Sequence, residues 1–273
     1  MIAGMTVNKG FALVTGAGSG IGKAIATKLA RSGFPVVVND INEDAGHQVT
    51  TEISANGGTA CFLNADVSDP AAVNDMFDNA VAELGFPQVL VNNAGTPGNF
   101  ALLADMENQD WQTNISVHID GTFYCLREVV RRMPVRGGTI VNIASIAGIN
   151  GTVGSAAYAA AKAAVINLSK TAAKELGAKS ITVNAIAPGM VATGINRKLA
   201  DKGSPFISAA LDGVPTGEMI EPEEIASLVD FLCTAGSSIT GQVVVIDGGA
   251  SVTANIDQFM LDYLGNSTGK ITT

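Results

Sequence analysis

Short apolar runs alternate along this chain with longer stretches whose apolar residues recur at helical spacing. The short runs are not interrupted by polar residues at every second position, so strands built from them need cover on both faces of their sheet. Seven runs predict strands at residues 11–14, 36–39, 60–63, 88–91, 139–143, 181–186 and 242–246. This order indicates successive βαβ units and a parallel sheet of about seven strands, in the α/β class.

The stretches between the strands have the pattern of amphipathic helices. Ile21, Ile25 and Leu29 lie four residues apart, and Gly33 follows as a helix stop. Similar patterns predict helices at residues 21–31, 71–84, 111–133, 156–176 and 222–235. No linker, repeat or low-complexity segment interrupts the alternation, which indicates a single domain over residues 1–273.

Two segments fall outside this alternation. Residues 190–220 carry glycines at 194, 203 and 213 and prolines at 205 and 215, and they predict a long irregular loop. Such a loop in a compact domain is commonly functional, so we interpret it as a substrate lid. The C-terminal extension, residues 250–273, has apolar residues between 259 and 264 that suit either a docking helix or a subunit contact.

Charge and composition exclude several classes of function. A net charge of −9 opposes attraction to phosphate backbones, so nucleic acid is not expected as a partner. Apolar runs end well before the roughly 20 residues of a membrane helix, and no membrane association is expected. Residues 1–10 lack the pattern of a secretory signal, which favours a cytoplasmic protein. Three scattered cysteines and two histidines favour reduced thiols and a metal-free mechanism.

A glycine-rich turn follows the first predicted strand and opens the first predicted helix. Residues 15–22 read TGAGSGIG, with the spacing Gly-x-x-x-Gly-x-Gly rather than Gly-x-Gly-x-x-Gly. Glycines there permit a tight turn and a close approach of backbone N–H groups to a pyrophosphate at the positive end of the helix. A purely structural turn is the alternative, but the strand, turn and helix context favours dinucleotide binding.

Two aspartates follow the second and third predicted strands. Asp40 lies 18 residues after Gly22, where a carboxylate can accept hydrogen bonds from an adenosine ribose and repel a 2′-phosphate. This favours NAD over NADP; the alternative is a helix cap formed with Glu43. Asp66 is either an adenine contact or a plain turn residue.

Tyr158 and Lys162 lie four residues apart in a predicted helix, which places both side chains on one face. A phenol titrates near 10 and is a poor base at neutral pH unless a neighbouring positive charge favours the phenolate. Lys162 can supply that charge. The spacing alone is common by chance, so its context has to decide.

That context resembles the short-chain dehydrogenase/reductase family. The glycine turn, the sequence NNAG at residues 92–95, Ser145 thirteen residues before Tyr158, and the YxxxK pair recur here in the family's order, over about residues 9–250. The resemblance implies a doubly wound, Rossmann-like fold with helices on both faces of the sheet. It also implies a homotetramer packed through the helices at 111–133 and 156–176.

The resemblance assigns roles to individual residues. Ser145 would orient the substrate oxygen, Tyr158 would donate or accept its proton, and Lys162 would lower the tyrosine pKa and hold the nicotinamide ribose. Val191 and Thr193, within a segment like the family's PGxxxT, would fix the nicotinamide carboxamide. The cofactor-binding residues expected in this way are Gly16, Ser19, Gly20, Ile21, Gly22, Asp40, Asp66, Val67, Asn93, Ala94, Gly95, Tyr158, Lys162, Pro188, Gly189, Val191 and Thr193.

One position departs from the family pattern. Where relatives usually have asparagine as a fourth catalytic residue, this chain has His118. In the family the backbone carbonyl of that residue holds a water in a proton relay to the lysine, so the change of side chain is compatible with activity. His118 is thus a fourth catalytic candidate; the alternative is an ordinary core or helix histidine, whose pKa can still tune the relay.

These observations predict an NAD(H)-dependent oxidoreductase that interconverts a secondary alcohol and a ketone, with a small molecule as its substrate. One alternative is an NADPH-dependent enzyme like the 3-oxoacyl-acyl-carrier-protein reductases. Asp40 and the acidic chain weigh against it, although four arginines form either a local basic patch or ordinary helix charges: Arg127, Arg131, Arg132 and Arg136. A non-catalytic dinucleotide sensor or scaffold is a second alternative.

Overall fold

Seven strands form one sheet in this computed structural model, which describes residues 9–96, 98–134 and 137–252. They are β1 (Phe11–Thr15), β2 (Val36–Asp40), β3 (Ala60–Asn64), β4 (Pro87–Asn92), β5 (Gly138–Ile143), β6 (Ile181–Pro188) and β7 (Val243–Ile246). The sheet order is β3-β2-β1-β4-β5-β6-β7, and every neighbouring pair is parallel. The predicted α/β, doubly wound, Rossmann-like fold is confirmed.

Helices connect the strands and cover both faces of the sheet. They are α1 (Gly20–Arg31), α2 (Glu43–Ala55), α3 (Pro70–Leu84), α4 (Asn108–Asn114), α5 (Gly121–Arg132), α6 (Ala147–Asn150), α7 (Ala156–Leu176), α8 (Gly194–Asp201), α9 (Pro205–Asp212) and α10 (Pro222–Thr234). Short 3₁₀ turns occur at Leu103–Asp105, Gly177–Lys179 and Ala250–Val252. Within the described ranges, no helix is both long and apolar enough to cross a bilayer.

The first strand shows why the apolar runs lack polar alternation. Ala12 and Val14 belong to the core cluster that includes residues of α1 and α10, whereas Phe11 and Leu13 belong to the cluster that includes residues of α3 and α5. Successive side chains of a strand point to opposite faces of the sheet. Because helices cover both faces, every position of β1 is buried.

Helix α2 was not predicted, and its weak apolar face explains why. Its buried residues are Gly46, Val49 and Ile53, and the first of these has no side chain to mark the stripe. Gly46 is required because a Cβ there would lie 2.1 Å from the ring of Phe62. The N-cap is Asn42, whose side chain accepts a hydrogen bond from the Ala45 N–H, so the alternative of Asp40 as the cap is wrong.

The segment at 190–220 is not the irregular loop that its glycines and prolines predicted. It contains α8 and α9, and Pro205 occupies the first turn of α9, where its missing N–H costs no helical hydrogen bond. The glycines at 203 and 213 lie just beyond the ends of these helices. These glycines and Pro205 therefore mark the ends of helices rather than a continuous loop.

The helix predicted at 111–133 is divided. α4 and α5 are joined by a π turn, Ile115–Asp120, in which His118 lies. Single π turns inside α-helices often occur at functional sites. Of the C-terminal extension, only residues 250–252 lie within the described ranges; Arg136 also lies outside them.

Candidate active site

A glycine turn joins β1 to α1 at the carboxyl edge of the sheet, where β1 lies between β2 and β4. Gly16 and Gly20 have φ of +61° and +51°, conformations that other residues rarely adopt. Gly22 is required for space, since a Cβ there would lie 2.2 Å from the Gly16 carbonyl oxygen. The N-cap Ser19 makes no side-chain capping bond, while Ile21 packs against the core. Backbone donors and the positive end of α1 therefore face the switch point of the sheet.

The end of β4 holds this turn in place. The Asn93 side chain donates to the carbonyl oxygens of Thr15 at 2.9 Å and Gly16 at 3.0 Å. The Thr15 hydroxyl accepts hydrogen bonds from the Asn93 and Ala94 N–H groups, each at 3.0 Å. The amide of Asn93 thus supports the turn. Sequence reasoning missed Thr15, although it directly precedes the first glycine.

Asp40 ends β2 beside the glycine turn. Its Oδ2 accepts a hydrogen bond from the Gly18 N–H at 2.8 Å, and its Oδ1 accepts one from the Asn42 N–H at 2.9 Å. Each carboxylate oxygen retains a lone pair for a further donor. The nearby cation of α1, Lys23, is paired with Glu52 at 2.7 Å. Among the described residues no salt bridge neutralises Asp40, so its negative charge stands beside the turn.

Asp66 and Val67 follow β3. Asp66 is exposed, and its Oδ1 accepts hydrogen bonds from both the N–H and the hydroxyl of Ser68, at 2.8 and 2.7 Å. These hydrogen bonds are those of a turn aspartate, one of the two alternatives that the sequence offered. An adenine contact by Asp66 stays a prediction. Val67 is buried, and a Cβ on Gly121 would lie 2.7 Å from its Cγ2. Gly121 therefore allows α5 to approach this loop closely.

Ser145, Tyr158 and Lys162 converge at the carboxyl end of β5. Ser145 follows the strand, and its Oγ accepts a hydrogen bond from the Ala147 N–H at 3.1 Å. Tyr158 and Lys162 lie one turn apart on α7, and Tyr158 shares a hydrogen bond with Ser145. Lys162 is only 5% exposed, and its Nζ donates to the Ile143 carbonyl oxygen at 2.8 Å. The predicted trio is therefore brought together.

Burial dominates the titration of this trio. Burial raises the pKa of the Tyr158 phenol above its ordinary value, although the hydrogen bond with Ser145 acts in the opposite direction. Burial lowers the pKa of Lys162 to about 8. The Lys162 Nζ lies over the Tyr158 ring, 5.6 Å from the centroid, and the expected effect of its charge on the pKa of the phenol stays a prediction.

His118 packs against the ring of Tyr158. The imidazole is 2% exposed and meets the Tyr158 ring edge-on, with centroids 5.3 Å apart. Its Nε2 lies 2.9 Å from the Thr96 carbonyl oxygen. Burial and the positive charge of Lys162 lower the pKa of His118 to about 3, against the opposing effect of the Thr96 contact. The ring is therefore neutral at physiological pH.

The segment after β6 closes one side of the site. Pro188 ends the strand, the Gly189 N–H donates to the Ile246 carbonyl oxygen at 2.9 Å, and Val191 forms a bridge with Ile220. Thr193 precedes α8 beside the glycine turn, since a Cβ on Gly20 would lie 3.4 Å from its Cγ2. Thr193, one of the two predicted carboxamide contacts, thus borders the turn that is predicted to bind the pyrophosphate. Among the described residues, no three His, Cys, Asp or Glu side chains are grouped to hold a metal ion.

Comparison with known proteins decides the family. A model described as enoyl-(acyl carrier protein) reductase, which belongs to the short-chain dehydrogenase/reductase family, matches residues 16–251. The chain belongs to that family. A 3-oxoacyl-acyl-carrier-protein reductase from Synechocystis sp. is 42% identical to this chain. The match covers 87% of this chain and 95% of the relative. The resemblance inferred from the motifs is confirmed. The prediction that the protein is an oxidoreductase acting on CH–OH groups is confirmed as well.

Further relatives of this short-chain dehydrogenase/reductase carry different names. A hydroxy(phenyl)methylsuccinyl-CoA dehydrogenase subunit from Thauera aromatica is 38% identical to this chain. The match covers 92% of this chain and the full length of the relative. The crystal structure of acetoin dehydrogenase from Enterobacter cloacae matches with a TM-score of 0.82 and 35% identity, over 92% of this chain and 98% of its own. A short-chain dehydrogenase/reductase from Mycobacterium ulcerans has a TM-score of 0.89 and 30% identity, over 96% of both chains.

Proposed function

We propose that this short-chain dehydrogenase/reductase interconverts a secondary alcohol and a ketone with NAD(H). The observation that carries the proposal is the convergence of Ser145, Tyr158 and the buried Lys162 at the carboxyl edge of the sheet, the edge that also carries the glycine turn. A ketone oxygen gains negative charge as its carbon accepts a hydride, and hydroxyl donors at hydrogen-bond distance stabilise that charge.

The nicotinamide supplies or accepts the hydride when it is bound. Ser145 holds the substrate oxygen, and Tyr158 transfers its phenolic proton to that oxygen during reduction and accepts it back during oxidation. The raised pKa of Tyr158 keeps the phenol protonated at neutral pH, which suits it as the acid for reduction. Oxidation needs the phenolate, which the positive charge of Lys162 on the same helix face favours.

The residues present suit a dinucleotide. The tight turn at Gly16 and Gly20, the uncapped N–H groups of α1 and the carboxylate of Asp40 suit a pyrophosphate and an adenosine ribose. We assign the remaining predicted cofactor contacts to the same ligand. Asp40 favours NAD, because a 2′-phosphate would meet an unneutralised carboxylate.

We propose that α8 and α9 form the predicted lid of this site. Phe206, in the first turn of α9, lies against Phe100 of the segment after β4, with ring centroids 5.9 Å apart. Ala101, next to Phe100, forms a bridge with Ser155 at the start of the helix that carries Tyr158. We propose that the pair borders the substrate pocket.

An NADPH-dependent 3-oxoacyl-acyl-carrier-protein reductase is the second candidate. Relatives named 3-oxoacyl-acyl-carrier-protein reductase share 40% identity with the chain. The arginines offer weaker support for a carrier-protein contact. Arg127, Arg131 and Arg132 all donate to the buried carboxylate of Glu128, at 2.9, 2.9 and 2.6 Å. Their charge is therefore partly neutralised within the helix, as expected of helix charges rather than a free basic patch.

Steady-state turnover with each cofactor separates the candidates. NADH and NADPH oxidation is followed with acetoin and other small ketones, and with a 3-oxoacyl group presented on coenzyme A or on a carrier protein. We expect turnover of a small ketone with NADH. Turnover confined to NADPH and the carrier-bound substrate would favour the second candidate. NADH binding without oxidation across the panel would favour a non-catalytic sensor.

The homotetramer and the cytoplasmic location also stay proposals. Light scattering on the purified protein tests the first, with the mass of four chains as the expected result. Cell fractionation tests the second, with the protein expected in the cytoplasmic fraction.

A further inference from the structure

His118 occupies an enclosed position between a backbone segment and the proposed acid. It lies in the π turn between α4 and α5, with the segment after β4 on one side and Tyr158 on the other. The titratable groups facing it are Tyr158 and Lys162, both from α7. The proposed chemistry gives this imidazole no step.

The contacts of the ring define its tautomer. Nε2 lies 2.9 Å from the Thr96 carbonyl oxygen and 3.4 Å from the Thr96 nitrogen. The shorter contact requires Nε2 to carry the proton, because a carbonyl oxygen can only accept. Nδ1 is then an unprotonated acceptor, and it has no hydrogen-bond partner among the described residues. Protonation of Nδ1 would create a buried imidazolium cation beside the positive charge of Lys162.

Gly95 shows how closely the ring is packed. Its φ lies outside the left-handed region, so its backbone conformation does not demand glycine. A Cβ there would nevertheless lie 2.5 Å from His118 Cε1 and 3.0 Å from Nδ1. The imidazole therefore makes glycine necessary at this position, and the two residues form one packing unit with Thr96.

We propose that His118 is a positioning residue, which ties Thr96 to the ring of Tyr158 and so fixes the phenol, and that its imidazole stays neutral and transfers no proton in the reaction. This rests on the proposed function of Tyr158. The contacts at 2.9 Å with Thr96 and at 5.3 Å with Tyr158 place one rigid ring between both partners. Loss of the ring frees the phenol to move away from Ser145, and misplacement of a reacting group by about 1 Å can cost about 100-fold in rate.

The first test needs no activity. The chain has two histidines, so His47→Gln leaves His118 as a single reporter. In nitrogen-15 NMR of this variant, we expect the Nε2–H tautomer and no titration between about pH 5 and pH 9. Titration near 6.5 or an Nδ1–H tautomer would overturn the proposal. This outcome is independent of whether the proposed reaction occurs.

The second test uses kinetics. We expect His118→Ala to lower kcat about 10- to 100-fold, with the pH limbs of the rate profile and the KM for NADH unchanged. His118→Asn, which can still donate to Thr96, should recover part of the loss. A shifted or missing pH limb would contradict the proposal by showing that the imidazole takes part in proton transfer.

The packing unit supplies a control. Gly95→Ala should lower kcat about as much as His118→Ala, and the double variant should lose much less than the product of the two effects. Asn114→Ala, one turn earlier on the same face and also buried, is a matched variant for stability. We expect a similar drop in its melting temperature with a smaller loss of kcat. Equal losses of kcat in both alanine variants would reduce His118 to a stability role and overturn the proposal.

Discussion

Replacement of Asp40 by asparagine should weaken the discrimination between NADH and NADPH. The amide keeps an oxygen that can accept the hydrogen bond from the Gly18 N–H, now at 2.8 Å, but it removes the negative charge. A 2′-phosphate in the place of a ribose hydroxyl would lie near that charge. The variant therefore tests repulsion while it preserves the geometry of the turn.

The magnitude follows from the separation of the two charges. For unit charges about 5 Å apart, the repulsion is about 0.8 kcal/mol in water and about 3 kcal/mol at an effective dielectric constant near 20. Asp40 is partly buried, so its environment lies between these limits. The ratio of kcat/KM for NADH to that for NADPH should accordingly fall about 4- to 150-fold in Asp40→Asn.

Steady-state kinetics with both cofactors measures this ratio. Asp66→Asn is the matched control, since Asp66 is exposed and bonds only its own turn at Ser68. Any loss in that variant should affect both cofactors equally. An unchanged ratio in Asp40→Asn, or a preference of the unaltered protein for NADPH, would refute the reasoning.

Three further predictions concern the titration, the stability and the lid. Burial lowers the pKa of Lys162 to about 8, so the positive charge of Lys162 is lost as pH rises through that value. We therefore expect kcat/KM for NADH to fall near that pH. A pH profile of kcat/KM that stays flat up to the ordinary lysine pKa of 10.5 would contradict this prediction. Glu128→Gln should lower the free energy of unfolding in urea by about 2–3 kcal/mol. This is less than the cost of breaking a fully buried ion pair, because solvent partly screens Arg127 and Arg131. Its exposed counterpart Asp78→Asn should cost under about 1 kcal/mol, and equal costs would contradict a special role for burial. Phe206→Ala should raise the KM for the ketone about 2- to 10-fold through loss of the Phe100 contact, and an unchanged KM would place the pair outside the pocket.

Local sequence patterns predicted the sheet and the glycine turn, because both depend on residues that are neighbours in the chain. Each of the seven strands contains a short apolar run, which is buried in the five inner strands and only partly buried in the edge strands β3 and β7. Gly22 is confined by a backbone atom six residues earlier. The helices α8 and α9 were missed because the glycines and prolines that flank them were interpreted as loop residues. The π turn was missed because six residues are too few to show a change of helical period.

Contacts between distant segments were beyond the sequence. The raised pKa of Tyr158 depends on burial that spacing on α7 does not reveal. The support of the glycine turn by Asn93 joins residues 78 positions apart. His118 could be recognised as a departure from the family pattern, but its neutral ring and its contact with Thr96 required the fold.

The central claim is that Tyr158 is the acid and base of the reaction, and Tyr158→Phe tests it most directly. This change removes only the hydroxyl and leaves the ring that His118 contacts. With a ketone that the unaltered protein reduces, we expect kcat to fall about 100- to 10,000-fold. NADH binding, followed by the fluorescence of the reduced nicotinamide, should change only a few-fold. Full turnover in Tyr158→Phe would contradict the account.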